Sequence, residues 1–240
     1  MTVVAIHQPQ YLPWQPYFAK ALASDLFVYL DTVQFQKNGV QNRNQIKTAQ
    51  GARWLTVPVH ASLERSIAET AIAREPWARK HLATIEQSYR GTPGMAWFRA
   101  TLAPVLMAEH PSLAELSIAL CEAMFDRLGA GCRRVRASTL RAEGTKESLV
   151  IDIARKVGAT RYLSGVGAAT YQRAENFERE GITLSYVHHR SSPYPQRHPA
   201  LGFIEGLSSV DLLMNVDDGA YEHVMRGIRI EDAAVCEGST

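Results

Sequence analysis

Apolar residues along the chain fall first in short runs, then in helical stripes, then in an alternation of the two. Thr2 to Ile6 is β-branched and apolar, reads as a short buried strand, and ends on the polar pair His7-Gln8. Pro9, Pro13 and Pro16 then forbid regular structure until about Tyr17, where FAKALA predicts a short helix. Leu26 to Leu30 predicts a second strand, ending on Asp31, and Thr32 to Ile46 is almost wholly polar. Trp54 to Val59 restores a strand pattern and Ile67 to Ile72 suggests another. The middle is helical, with apolar residues at helical spacing over Pro76 to Tyr89, Pro93 to Glu109 and Ser112 to Leu128. Thr92-Pro93 supplies an N-cap with proline at the first helical position, Ser112 with Glu115 fits a capping box, and Gly129 to Gly131 stops the last of these helices.

From there strand and helix patterns alternate: Arg134 to Ala137, helix Lys146 to Val157, Arg161 to Leu163, helix Thr170 to Glu180, and Thr183 to Val187. Such alternation implies parallel strands joined by helical crossovers. A proline-rich stretch from Pro193 precedes short helices around Ser209 to Met214 and Gly219 to Met225. The expected fold is therefore α/β, a mostly parallel sheet with flanking helices and a helical middle segment. The pattern is read as one domain, with an N-terminal α/β part (1–72), a helical segment (73–131) and a C-terminal α/β part (132–240).

Composition narrows the class of protein without choosing a function. Hydrophobic residues make up 46% and charged residues 21%, which argues against disorder and low complexity. No run approaches the ~20 apolar residues of a membrane helix, and the start shows no secretory signal pattern. Cys121, Cys132 and Cys236 are odd in number and lack C-x-x-C spacing, so a zinc site or disulfide framework is not expected and a cytoplasmic location is. The net charge of +2 gives no reason to expect bulk nucleic-acid binding. It hides an asymmetry, however: residues 1–50 hold four basic and two acidic side chains, residues 217–240 two basic and six acidic. That points to a small anionic ligand near the N-terminal loops.

Open α/β sheets bind ligands beyond the carboxyl ends of their strands, and three predicted strand ends carry polar groups: His7-Gln8, Asp31 and Ser164-Gly165. His7 has the acid–base chemistry for proton transfer. Tyr11 and Trp14, on a loop stiffened by proline, suit ring stacking or a hydrophobic plug. Asp31 heads a polar stretch, Gln34, Lys37, Asn42, Arg43 and Asn44, in which the cations could hold phosphates or carboxylates and the amides could both donate and accept. Ser164, Gly165 and Gly167, with Tyr171 nearby, lie between a strand and a predicted helix, where helix N-terminal amides would favour an anion. The dinucleotide fingerprint fails there because Thr170 takes the last glycine position. Tyr194 and Gln196 sit in an irregular stretch that could close over a pocket, and Asp211 and Asn215 share one helical face. His188 and His189 are adjacent on a strand and so face opposite ways, which speaks against a shared metal.

These residues also carry a resemblance. IHQPQYLPWQPYFAKALASDLFVYLDTVQF, then QNRNQIK and WLTVPV, resemble the opening signature of the WbqC-like family. TKESLVIDIARKVGATRYLSGVGAATYQRAENFEREGI resembles its second block, and Tyr194 to Gln196 with SSVDLLMN its closing motifs. Two departures stand out: Trp14-Gln15-Pro16-Tyr17 where the family usually has Trp-x-Gly-Tyr, and Met214 where an aromatic is usual. The resemblance implies a setting in surface-polysaccharide or modified amino-sugar biosynthesis and a transferase that acylates or aminoacylates a sugar amine. On that view His7, Asp31 and Ser164 are the catalytic candidates. Gln8, Tyr11, Trp14, Gln34, Lys37, Asn42, Arg43, Asn44, Gly165, Gly167, Tyr171, Tyr194, Gln196, Asp211 and Asn215 bind a small anionic substrate, such as a nucleotide sugar or an activated acyl donor. No cofactor is identified and no metal is expected. A nucleotidyltransferase-like activating enzyme and a non-catalytic sugar-nucleotide-binding protein are the competing readings.

Overall fold

A computed structural model describes residues 1–37, 39–60 and 65–234, so Cys236 lies outside the described residues. Its centre is a six-stranded sheet. The first strand, β1 (Val3–His7), is flanked by β2 (Leu26–Tyr29) on one side, and beyond β2 lies β5 (Arg133–Arg136). On the other side of β1 come β6 (Arg161–Gly165), β7 (Thr183–His189) and β8 (Ile228–Asp232). The first five run parallel and β8 pairs antiparallel to β7. The expected α/β architecture with its mostly parallel sheet is therefore present.

Strand composition explains why the sheet is covered on both faces. β1 and β2 are continuous apolar runs whose central residues are buried, as parallel strands between two helical layers must be. One face carries α1 (Gln15–Leu22), α2 (Trp77–Ser88) and α5 (Leu113–Leu128), with Tyr17, Phe18, Phe27 and Phe125 interlocked edge-to-face. The other carries α6 (Lys146–Lys156) and α7 (Ala174–Glu178), where Tyr162 stacks on Phe177 at 5.5 Å. Pro16 and Met214, the two departures from the family pattern, fit quietly: Pro16 stands in the first turn of α1, and Met214 is fully buried.

Several expected elements differ in extent. The polar stretch contains a strand, β3 (Arg43–Thr48), which forms a separate hairpin with β4 (Gly51–Thr56), earlier than the expected 54–59. Ile67 to Ile72 forms no strand; Val59 and Ile72 make only an isolated bridge, as do Gln34 and Ser66. The second middle helix is broken into α3 (Met95–Trp97), a π-turn (Phe98–Leu102) and α4 (Ala103–Met107). Ser112 caps α5 by accepting from the Glu115 amide at 3.3 Å, but the Glu115 carboxylate pairs with Arg136 rather than closing a capping box. The helix expected from Thr170 begins only at Ala174, because a short 3₁₀ turn (Val166–Ala168) follows β6. Ser164 to Gly167 is thus a strand end and turn, not the N-terminus of a helix. The tail helices are α8 (Ser209–Asn215) and α9 (Ala220–Arg226).

Gly94 fixes how α8 approaches the helical segment. Its amide donates to Met214 O at 3.0 Å, and a Cβ there would stand 2.1 Å from Leu213 O and 2.6 Å from Met214 Cα. Its φ of −74° is ordinary, so the demand is for space alone. Gly94→Ala should destabilise the protein by roughly 1–3 kcal/mol or more through overpacking, read as a lowered urea midpoint. An unchanged midpoint would mean that α8 moves away freely.

Candidate functional site

β1 and β6 are neighbours, but the chain leaves them towards opposite faces, through α1 on one and α7 on the other. The exit loops diverge, and such a gap at the carboxyl edge is where ligands enter open α/β sheets. A cleft of about 660 Å³ opens there, reached by the ends of β1, β2, β6 and β7. It is lined by His7, Gln8, Trp14, Tyr17, Lys20, Gln36, Ser164, Gly165, Gly167, Tyr171 and His189 among others, and none of the described lining residues is acidic.

His7 is half-buried at the end of β1, its ring 4.8 Å from that of Tyr17. Nδ1 lies 3.1 Å from Gln8 O, so Nδ1 carries the proton and Nε2 the lone pair. Burial, and then the charge of Lys20, lower its pKa to about 3 against the opposing Gln8 carbonyl, which keeps the imidazole neutral. Lys20 is only 4% exposed and donates to Ile6 O at 2.9 Å. Burial lowers its pKa from 10.5 to about 7.

On the opposite wall Ser164 is buried and points to the same sheet face as Tyr162, the face opposite that of His7. Gly165 has φ −81° and Gly167 is not in the left-handed region, and a Cβ at either would meet nothing within 4 Å. Neither backbone shape nor packing calls for glycine at these two positions, and they leave the wall open towards the cleft. Gln8 is held by Gln41 Nε2 at 2.7 Å. Trp14 and Tyr171 stand exposed at the rim, at 42% and 59%. His189 Nε2 lies 3.1 Å from Val224 O, which makes Nε2 its donor, and Nδ1 is buried with no hydrogen-bond partner. As expected, His188 faces the other way, towards Glu231.

The cleft therefore gathers His7, Gln8, Trp14, Ser164, Gly165, Gly167 and Tyr171, and the remaining candidates lie elsewhere. Asp31 is buried and accepts from Ser138 N at 3.0 Å and Ser138 Oγ at 2.7 Å, which ties the end of β2 to the turn after β5. Tyr11 is a core residue bonded to His81 Nδ1 at 2.8 Å, not a stacking platform. Gln34 and Lys37 are exposed on the following loop and do not line the cleft. The Asn42 amide donates to Val57 O and that of Asn44 to Leu12 O, while Arg43 lies 4.5 Å over the Trp54 ring.

Tyr194, Gln196, Asp211 and Asn215 build a second, packed polar centre. Asp211 accepts from Tyr89 Oη at 2.7 Å and Tyr194 Oη at 2.8 Å, and burial pushes its carboxyl above the usual carboxylate range. Lys47, fully buried, donates to Gln196 Oε1 and Gly202 O, and Asn215 Oδ1 accepts from Arg197 N. This centre fastens the loop before α8 beside the cleft. Tyr194 lines a neighbouring pocket of about 300 Å³ that shares Trp14, Pro16 and His189 with the cleft.

Cys121 is a buried thiol that burial pushes up to about 12, so it behaves as a core residue. Among the described residues no group of three His, Cys, Asp or Glu side chains could hold a metal ion. Lys20 was not among the sequence candidates. Its signal was a single charge in the otherwise apolar helix QPYFAKAL, spaced to share a face with Pro16 and Tyr17.

Fold and cleft together define a doubly wound α/β protein with a cleft, free of carboxylates among the described residues, at the point where strand order reverses. More particularly, the chain belongs to the WbqC-like protein family, which matches residues 8–223. It is 31% identical to the uncharacterized protein Rv1507c of Mycobacterium tuberculosis over 228 residues, covering 93% of this chain and 98% of that protein. No solved structure matches it significantly. Among the described residues no helix is long and apolar enough to cross a membrane.

Burying Lys20 should be visible in stability. Its folded pKa is lowered, so the unfolded chain binds the proton between pH 10.5 and about 7 while the native state resists it. Stability is thus lost as pH falls through that window and levels off below it. Relative to Lys20→Met, the wild type should lose a few kcal/mol on going from pH 10 to pH 7, at about 1.4 kcal/mol per pH unit. Paired urea titrations at the two pH values check this, and a pH-independent difference would place the ammonium in contact with water.

Proposed function

We propose that this WbqC-like protein is a transferase that moves an acyl or aminoacyl group onto the amine of a nucleotide-linked sugar, in surface-polysaccharide or modified amino-sugar biosynthesis. The observation that carries the reading is His7: a neutral imidazole whose Nε2 has no hydrogen-bond partner among the described residues, at the wall of a cleft that no described acidic residue lines. A neutral imidazole can accept the proton that the amine loses as its nitrogen attacks the acyl carbonyl carbon. Ser164, buried on the sheet face of Tyr162, has no part in the chemistry on this reading, and Gly165 and Gly167 at the same strand end leave open space for the acyl group. Collapse of the tetrahedral intermediate re-forms the carbonyl and breaks the bond to the leaving group, which takes the proton back from His7. Trp14 and Tyr171, exposed at the rim, suit the flat faces of a base or a sugar ring. Asp31, bound to Ser138 and away from the cleft, has a scaffold role on this reading.

The test is product formation. The protein is incubated with uridine-diphosphate hexosamines bearing a free amine and with a panel of thioester and activated aminoacyl donors, and acylated sugar nucleotide is sought by mass spectrometry. His7→Ala should lower turnover about 10²–10⁴-fold, the usual worth of a positioned acid–base group, with sugar-nucleotide affinity changed less than about threefold. Full turnover in that variant would remove His7 from the chemistry. Saturable binding with no product from any donor would favour a sugar-nucleotide-binding protein instead.

A further inference from the structure

The chemistry assigned to His7 leaves the most unusual group in the cleft without a task. Lys20 is a cation buried on α1, and among the described residues its one hydrogen bond is to Ile6 O. An ammonium has three donors, and a buried charge is costly unless something of opposite sign faces it. Among the described residues no acidic side chain lines the cleft, so none of them supplies a counter-charge there. The other usual source of binding at this place is reduced. In α/β proteins of this strand order a phosphate commonly rests on the amides that open the helix after the first strand. Here Pro16 has no N–H, and the Tyr17 amide is already bonded to Trp14 O at 3.1 Å.

We infer that Lys20 is the anion-holding residue of the cleft and that it receives the diphosphate of a conjugate carrying a ring at one or both ends. The inference rests on the cleft being the substrate site, as in the reading above, and names which part of the substrate lies where. Three features set the ligand class. A lysine is a point charge that suits a phosphate, whereas paired recognition of a carboxylate is more often the work of arginine. The cleft, at about 660 Å³, is far larger than an isolated anion, so the anion belongs to a larger molecule. Across from α1, Gly165 and Gly167 leave free space where a side chain would otherwise stand, and Trp14 and Tyr171 wait at the rim for flat groups. Lys37, the cation of the preceding loop that the sequence singled out, is exposed and does not line the cleft.

A diphosphate can arrive on either partner of the proposed reaction, the nucleotide-linked sugar or a coenzyme A thioester, and the experiment separates them. Calorimetric titrations are run with pyrophosphate, uridine-diphosphate glucosamine and coenzyme A against wild type, Lys20→Met, Lys20→Gln and Lys37→Ala. Pyrophosphate and one of the two conjugates should bind the wild type. Both lysine-20 variants should weaken that binding roughly 10–100-fold, the loss expected of a charge-assisted bond, while Lys37→Ala stays within about twofold. Circular dichroism establishes that each variant is folded, and Lys20→Gln serves if the methionine variant is not. Wild-type affinity in both lysine-20 variants overturns the inference, as does a wild type that binds none of the three probes. Acyl transfer that survives in Lys20→Met with unchanged affinity would leave the reaction standing and put the phosphates elsewhere. Lysine-dependent binding with no acylated product would do the reverse.

Discussion

Right-handed crossovers impose the constraint from which the rest of the site follows. A parallel strand can be joined to its neighbour only by a connection of one hand, so a sheet that grows first one way from β1 and then the other must send its connections over opposite faces. The reversal here falls between β1 and β6. Nothing can bridge their exits, and the wedge left between them brings His7 and Ser164, 157 positions apart in the chain, to walls of one cleft. Chemistry-bearing residues at the ends of other strands meet a different fate. Asp31 leaves β2 one strand further from the reversal, where the turn after β5 reaches it and Ser138 takes both its oxygens.

The polar residues of the N-terminal loops show what it costs to hold such a wedge open. The proline-bearing chain from Pro9 to Trp14 cannot form a ladder with its neighbours, and Leu12 is buried in the left-handed region at φ 47°. A non-glycine residue there costs on the order of 1 kcal/mol, and Asn44 offsets it by donating to Leu12 O at 2.7 Å. The Tyr11 amide is bonded to Gln41 O, and Gln41 in turn holds Gln8. The amide-rich stretch that reads in sequence as a ligand contact therefore acts one layer back, as the frame that positions the β1 exit loop.

What was legible in the sequence was whatever a residue declares through its neighbours along the chain. β1, β2, β6 and β7 are short apolar runs, α2, α5 and α6 carry apolar stripes, and the strand-end polar groups mark the carboxyl edge. What stayed hidden depends on pairing across the chain. β3 is RNQIKT, too polar to announce a strand, and it forms one because β4 lies against it and Ile46, Lys47 and Thr48 are packed from outside. Edge strand β8 has little burial and, among the described residues, only β7 for a partner. Lys47 looks in sequence like an ordinary solvated cation, since nothing local says that Gln196 and Gly202 will cover it, and the lone charge in QPYFAKAL does not say that Ile6 O will receive Lys20. The segments that carry the family resemblance hold cleft positions such as His7 and scaffold positions such as Asp31 side by side, so the resemblance alone does not sort them.

Lys20 and His7 also explain one another. A histidine half-open to a cleft would ordinarily titrate near neutral pH and spend part of its time protonated, unable to accept a proton. Burial lowers its pKa, and the neighbouring ammonium lowers it further. The same ammonium, poised near neutrality by its own burial, becomes more firmly charged as soon as an anion lies beside it, because an opposite charge favours the ionised form. A bound diphosphate would then offset part of the electrostatic pressure on His7 and raise its basicity at the moment the reacting amine is in place. On the proposed reading, the buried ammonium and the weakly basic imidazole are thus coupled through the anion that lies beside them.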